Sequence, residues 1–140
     1  MESGLAGHMR FLPLRLLPGV DLRLALEQAA ASQFTQAAFV VAGIGSLAQG
    51  NLRYAGNATE SPIDGPLEIL SLSGTLSSSG AHLHMSVSDA AGHVNGGHVC
   101  YGNTVRTTAE LLLAPLEGWS LTREHDPATG FNELVVRRSE

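Results

Sequence analysis

His82 and His84 are separated by one residue in the stretch Gly80-Ala81-His82-Leu83-His84-Met85-Ser86-Val87-Ser88, whose alternation reads as a strand. Successive side chains of a strand point to opposite faces, so His82, His84, Ser86 and Ser88 share one face while Leu83, Met85 and Val87 share the other, apolar one. The turn signal Asp89-Ala90-Ala91-Gly92 predicts a hairpin whose return arm, Gly96-Gly97-His98-Val99-Cys100, brings a third imidazole alongside. Its two glycines permit a bulge or close backbone approach. Three neutral imidazoles converging on one sheet face form a zinc-type arrangement, with a fourth position open to water or a substrate oxygen. The same spacing is also compatible with histidines that hydrogen-bond on a polar sheet face or at a subunit interface.

Other residues with chemical potential stand apart. Glu110 is a carboxylate in the otherwise apolar strand-like segment Thr107 to Leu113, where such a group needs a partner. It could ligate a metal, fix an imidazole, or act as a general base on metal-bound water. An ion pair with Arg53 or Arg106 is the structural alternative. Cys100 shares the parity of His98 and reads as a small buried filler rather than a ligand. His93, beside the turn, reads as solvated, and His125, in Arg123-Glu124-His125-Asp126-Pro127, as structural. Gly43-Ile44-Gly45-Ser46-Leu47-Ala48 matches the glycine pattern of dinucleotide-binding loops. Gly50 and Asn51 interrupt the helix that motif must open, and no second βαβ unit follows, so the segment is expected to be a strand-to-strand loop.

The elements that must position these residues are mostly strands. Phe11 to Leu17 reads as a first strand closed by Pro18-Gly19. Asp21 then caps a helix running to about Gln33, with Leu22, Ala25, Leu26, Ala29 and Ala30 on one stripe. Ala37 to Ala42 is a short apolar strand, followed by the glycine-rich passage. Further strands are expected at Asn51 to Tyr54, Leu67 to Ser73, Ala81 to Ser88, Val94 to Tyr101, Thr107 to Leu113, Ser120 to Glu124 and Asn132 to Arg137. Many short strands with one early helix make an α+β domain dominated by antiparallel sheet.

Composition narrows the function classes. At 140 residues and 44% hydrophobic, the chain suits one domain with a substantial core. One cysteine excludes an intrachain disulfide and a cysteine-based zinc cluster, and suits a reducing, cytoplasmic setting. Eight arginines without a lysine face thirteen acids, a net charge of −5 that disfavours a free-standing phosphate-backbone binder. No apolar run approaches the roughly 18 residues of a membrane span, so no membrane partner is expected. Gly7-His8-Met9 resembles a cloning remnant, so residues 1–9 are set aside and residues 10–138 taken as the domain.

Taken in order, several stretches resemble the PPC domain (plants and prokaryotes conserved domain). They are Pro18-Gly19 with the following helix, Ala42-Gly43-Ile44-Gly45-Ser46, Leu52-Arg53-Tyr54, and Glu68-Ile69-Leu70-Ser71-Leu72-Ser73-Gly74-Thr75. Gly80-Ala81-His82-Leu83-His84, Gly92 to Gly97-His98, Thr107-Thr108-Ala109-Glu110 and Arg123-Glu124-His125-Asp126-Pro127 continue the pattern. The resemblance implies a mainly antiparallel α+β fold with one principal helix, assembled as a homotrimer with the histidines near subunit boundaries. The fold is similar to that of acetolactate decarboxylase, whose zinc is held by a His-x-His pair and a downstream histidine, which nominates His82, His84 and His98 as metal ligands. In plants the domain accompanies AT-hook segments in DNA-binding regulators, and bacterial members carry a predicted DNA-binding label. This chain has no Arg-Gly-Arg-Pro-like hook, no lysine and few aromatics, so that label belongs to the hook. The expectation is a trimeric module with a zinc-binding pocket for an unknown small ligand. The alternatives are a DNA-associated regulator and a metal-dependent lyase or hydrolase-like enzyme in which Glu110 moves protons.

Overall fold

A computed structural model describes residues 10–32 and 37–139. The reading of residues 1–9 as a remnant, and of Gln33 as the helix end, lies outside the described residues. Alternating burial sets most of the chain as strand: β1 (Leu12–Leu16), then α1 (Leu22–Ser32), β2 (Ala37–Arg53), β3 (Ser61–Ser77), β4 (Gly80–Ser88), β5 (Val94–Val99), β6 (Thr104–Pro115), β7 (Trp119–Asp126) and β8 (Phe131–Arg138). Among the described residues the architecture is a mostly antiparallel sheet with one short helix, as the alternation and the single amphipathic stripe predict. No helix among the described residues is long and apolar enough to cross a membrane.

Asp21 starts α1 as expected. Its Oδ1 accepts from the Leu24 amide at 3.0 Å, satisfying one of the helix's free N–H groups, and its Oδ2 accepts from Gly102 at 2.6 Å. Leu22, Leu26 and Ala30 form the buried stripe. They join a core built from Val40, Leu47, Leu52, Leu67, Leu76, Leu83, Met85, Val99 and Leu113, among others. Each such aliphatic side chain contributes roughly 1.5–3 kcal/mol by leaving water.

The six-stranded sheet has the order β1-β6-β2-β3-β4-β5, and β5 pairs β2 as well, through Leu52–Val99 and Arg53–His98. The sheet therefore curls until its last strand meets the end of β2. That closure depends on the passage expected to be a loop. Gly43, Gly45 and Gly50 lie inside one continuous 17-residue strand, and the short strands expected at Ala37 to Ala42 and Asn51 to Tyr54 are its two ends. Glycine serves close packing here: a Cβ on Gly43 would sit 2.7 Å from Leu111 Cδ2, and one on Gly45, at φ +153°, would sit 2.4 Å from the Thr108 carbonyl oxygen. Register shifts between Val40 and Ala42, Gly45 and Leu47, and Leu47 and Gln49 bend the strand without ending it. With a strand where a pyrophosphate-binding helix would have to begin, the dinucleotide motif has no structural basis. β3 likewise extends beyond Leu67 to Ser73 at both ends.

Asn103 holds the far end of the closure. It is fully buried; its Oδ1 accepts from the Asn51 amide, and its Nδ2 donates to the carbonyls of Asn51 and Cys100, all at 2.8 Å. This ties the end of β2 to the residue after β5 and so fixes the strand that carries His98. β7 and β8 form a separate two-stranded ribbon, anchored by buried Leu121, that lies against β3.

Candidate metal centre

The predicted hairpin forms. Asp89 shapes its turn, accepting at Oδ1 from the amides of Ala91 and His93, both at 2.9 Å, and β4 and β5 then pair so that His84 and His98 stand directly opposite. His82 is one outward position further along β4, opposite Thr75 of β3. Ala81, Leu83 and Met85 between and beside them are buried, which fixes the face on which the imidazoles stand. Gly97 lets β5 press against β2: a Cβ there would lie 2.7 Å from the Arg53 carbonyl oxygen.

The three rings form one cluster. Their centroids are 5.1 Å apart for His82 and His84, 5.3 Å for His82 and His98, and 4.6 Å for His84 and His98. One candidate ligand nitrogen from each lies within 4.8 Å of the other two. A tetrahedral zinc with bonds of about 2.0–2.1 Å needs nitrogens roughly 3.4 Å apart, a contraction that side-chain torsions can supply. Three imidazoles on paired strands, two of them exposed, fit a divalent metal.

Burial and neighbouring positive groups keep two of the three rings unprotonated. Burial first, then the Arg123 guanidinium, then His84 and His98 hold the pKa of His82 below the ordinary 6.5. Burial first, then Arg53, His84 and Arg23 do the same for His98. Both rings are thus neutral at pH 7, as ligation requires. Beside them lies a cleft of about 560 Å³. Its walls carry Arg23, Arg53 and Arg123, with Glu60 and Glu133 as the acids and the exposed Phe131. Arg23 donates to the Val99 carbonyl at 3.1 Å and stacks on Tyr101, whose hydroxyl donates to Glu27 at 2.6 Å.

The remaining residues singled out in the sequence fall elsewhere. Glu110 is exposed on β6, with β2 and β3 between it and β4, roughly 14 Å across three strand spacings. Its cross-strand neighbour is Arg15, not Arg53 or Arg106. Cys100 is buried and lines the cleft outside the imidazole cluster; burial pushes its thiol pKa up, so it stays protonated. His93 is exposed beside Asp89, and His125 is exposed on β7 opposite Asn132. The arginines of the cleft were not legible as site residues. Arg53 could have been found only through its register with His98, and nothing in the spacing points to Arg123, which arrives from a ribbon 41 residues further along the chain than His82.

Comparison with known proteins shows a shared family and fold. The family model of the Plants and Prokaryotes Conserved (PCC) domain matches residues 4–117. The bifunctional protein GlmU of Synechococcus sp. (strain JA-3-3Ab) is 46% identical over 132 residues, 94% of this chain and 21% of that protein. The chain thus spans about a fifth of the length of the curated relatives it matches. A hypothetical protein from Salmonella enterica superposes with a TM-score of 0.89 at 39% identity, covering 92% of this chain and 94% of that one. A metal-containing protein from Archaeoglobus fulgidus superposes at 0.78 with 28% identity, covering 90% and 93%. A Ralstonia eutropha protein with a DNA-binding name superposes at 0.75 with 24% identity, covering 88% and 89%, which shows a shared fold alone.

Proposed function

The chain belongs to the Plants and Prokaryotes Conserved domain family, and from that premise we propose that it is a metal-dependent binding module whose His82, His84 and His98 hold zinc beside a cleft for a small, anionic, oxygen-bearing ligand. The observation that carries this reading is the convergence of three ligand nitrogens within 4.8 Å on adjacent hairpin arms. Three imidazoles without thiolates suit zinc, and the open side leaves room for a ligand oxygen. Arg23, Arg53 and Arg123 in the adjoining wall supply the positive potential that an anion needs. The metal-containing Archaeoglobus relative supports the same reading.

When bound, zinc would supply Lewis acidity toward an oxygen ligand. The chain's own residues bind and orient: β4 and β5 fix the imidazoles, and the arginines face the anion. Glu110, the base that an enzymatic reading assigned, stands on β6 away from the cluster, so the proposal is a binding module, which needs no such base. A DNA-binding role draws on names of relatives alone. A net charge of −5 disfavours binding to a phosphate backbone.

We further propose that the module is a homotrimer. Phe39, Val41, Ile44 and Leu70 lie between 41% and 55% exposed. The pairs Val40–Gly74 and Gly45–Ile69 keep one register, which sets Ile44 across from Leu70 on the outward face of the sheet, the face that also bears the histidines. Such a patch favours contact with further copies of the chain.

The metal reading is tested by zinc titration followed by metal analysis. The protein is expected to retain about one zinc per chain, and the double variant His82→Ala/His84→Ala to retain none. Absence of stoichiometric metal from the unaltered protein would overturn it.

A further inference from the structure

Arg123 Nη2 lies 3.0 Å from His82 Nδ1 and 3.0 Å from Thr75 Oγ1. A guanidinium has donors and no acceptor, so His82 Nδ1 receives that hydrogen bond through its lone pair. In a neutral imidazole only one nitrogen carries a proton, and here it must be Nε2. In this state neither nitrogen of His82 has a free lone pair: Nδ1 is engaged by Arg123 and Nε2 is protonated. A metal that takes Nδ1 needs the pair that Arg123 occupies. A metal that takes Nε2 requires the ring proton to move to Nδ1, which then no longer accepts.

We propose that Arg123 is a latch: carried by the β7–β8 ribbon, it occupies His82 in the metal-free protein, metal capture expels it, and the released guanidinium anchors the carboxylate of an anionic ligand. The inference rests on the metal reading above and assigns the order of events at that site, metal first and anion second. The ribbon is suited to the task. It forms its own two-stranded sheet, apart from the six-stranded one, and Arg123, Phe131 and Glu133 on it line the cleft. Thr75 holds the guanidinium in the latched position from β3.

Two variants separate the latch from a simple charge effect. Arg123→Met removes the donor and the charge. Thr75→Val removes one of the latch's acceptors, leaves the guanidinium in place and preserves side-chain volume. Zinc affinity is read by chelator competition, and the His82 tautomer by long-range proton–nitrogen correlation of the imidazoles. The metal-free protein is expected to show the Nε2–H tautomer at His82, and Arg123→Met to lose that preference. Zinc should bind about tenfold more tightly to Arg123→Met, the scale of one charge-assisted hydrogen bond, and several-fold more tightly to Thr75→Val. Acetate should then bind the zinc-loaded unaltered protein more tightly than zinc-loaded Arg123→Met. Equal zinc affinities in all three proteins, or a His82 tautomer indifferent to Arg123, would overturn the latch while leaving the metal reading intact. Equal acetate affinities would overturn the anchoring role. Failure of every protein to bind zinc would instead reject the metal reading on which the latch rests.

Discussion

His82 and His98 pass an electrostatic property from the site to the stability of the whole chain. Both pKa values lie below the ordinary 6.5, chiefly through burial, so the unfolded chain takes up protons first as the medium is acidified. Stability is then fully present above about pH 6.5 and declines as pH falls through the window between the unfolded and the depressed folded values. The carboxylates held low in the folded state, Asp89 by the His93 backbone amide and Glu124 by Arg137, start from 3.8 and 4.5 and act only at lower pH. Urea midpoints of the metal-free protein are expected to fall between pH 7 and 5. In a His82→Gln/His98→Gln variant the decline should flatten. A midpoint unchanged over that window in the unaltered protein would contradict the assignment. The same neutrality means that zinc capture at pH 7 needs no imidazole to give up a proton at these two positions.

Among the elements, the bend of the sheet is what delivers the imidazoles, and the bend is built on backbone contacts that only glycine allows. Gly74, at φ +154° in β3, faces the His82 carbonyl oxygen so closely that a Cβ would lie 2.1 Å from it. Gly74→Ala is expected to destabilise the fold by about 2–3 kcal/mol through strain and forced separation of β3 from β4. The matching measurement is a denaturant titration; a loss below about 0.5 kcal/mol would mean that the strands part freely. This dependence also explains what the sequence could and could not disclose. Periodicity made α1 legible, and alternation with the Asp89 turn made the histidine hairpin legible, because both depend on neighbours within a few residues. The continuity of β2 was hidden because glycine reads as a breaker locally, while its reason here is the Thr108 carbonyl more than sixty residues away. The approach of Arg123 to His82 was hidden for the same cause: it follows from how a separate ribbon lies on β3, a relation that no local spacing encodes.

At the scale of the whole molecule, the outward face of the six-stranded sheet has two neighbouring properties. Phe39, Val41, Ile44 and Leu70 make it apolar, and the imidazoles adjoin that patch on the same face. A charge placed within such a patch costs contact area and must be desolvated to be covered. Ile44→Asp is therefore expected to convert the proposed trimer, three times 14.6 kDa, into a monomer by light scattering, while its secondary structure persists. A monomeric unaltered protein would refute the assembly. For the metal, the decisive measurement is X-ray absorption at the zinc edge of the loaded protein. The proposed three-histidine zinc centre should show a first shell of three imidazole nitrogens near 2.0 Å with one oxygen completing it. A shell containing sulfur near 2.3 Å, or one of oxygens without imidazole scattering, would contradict it.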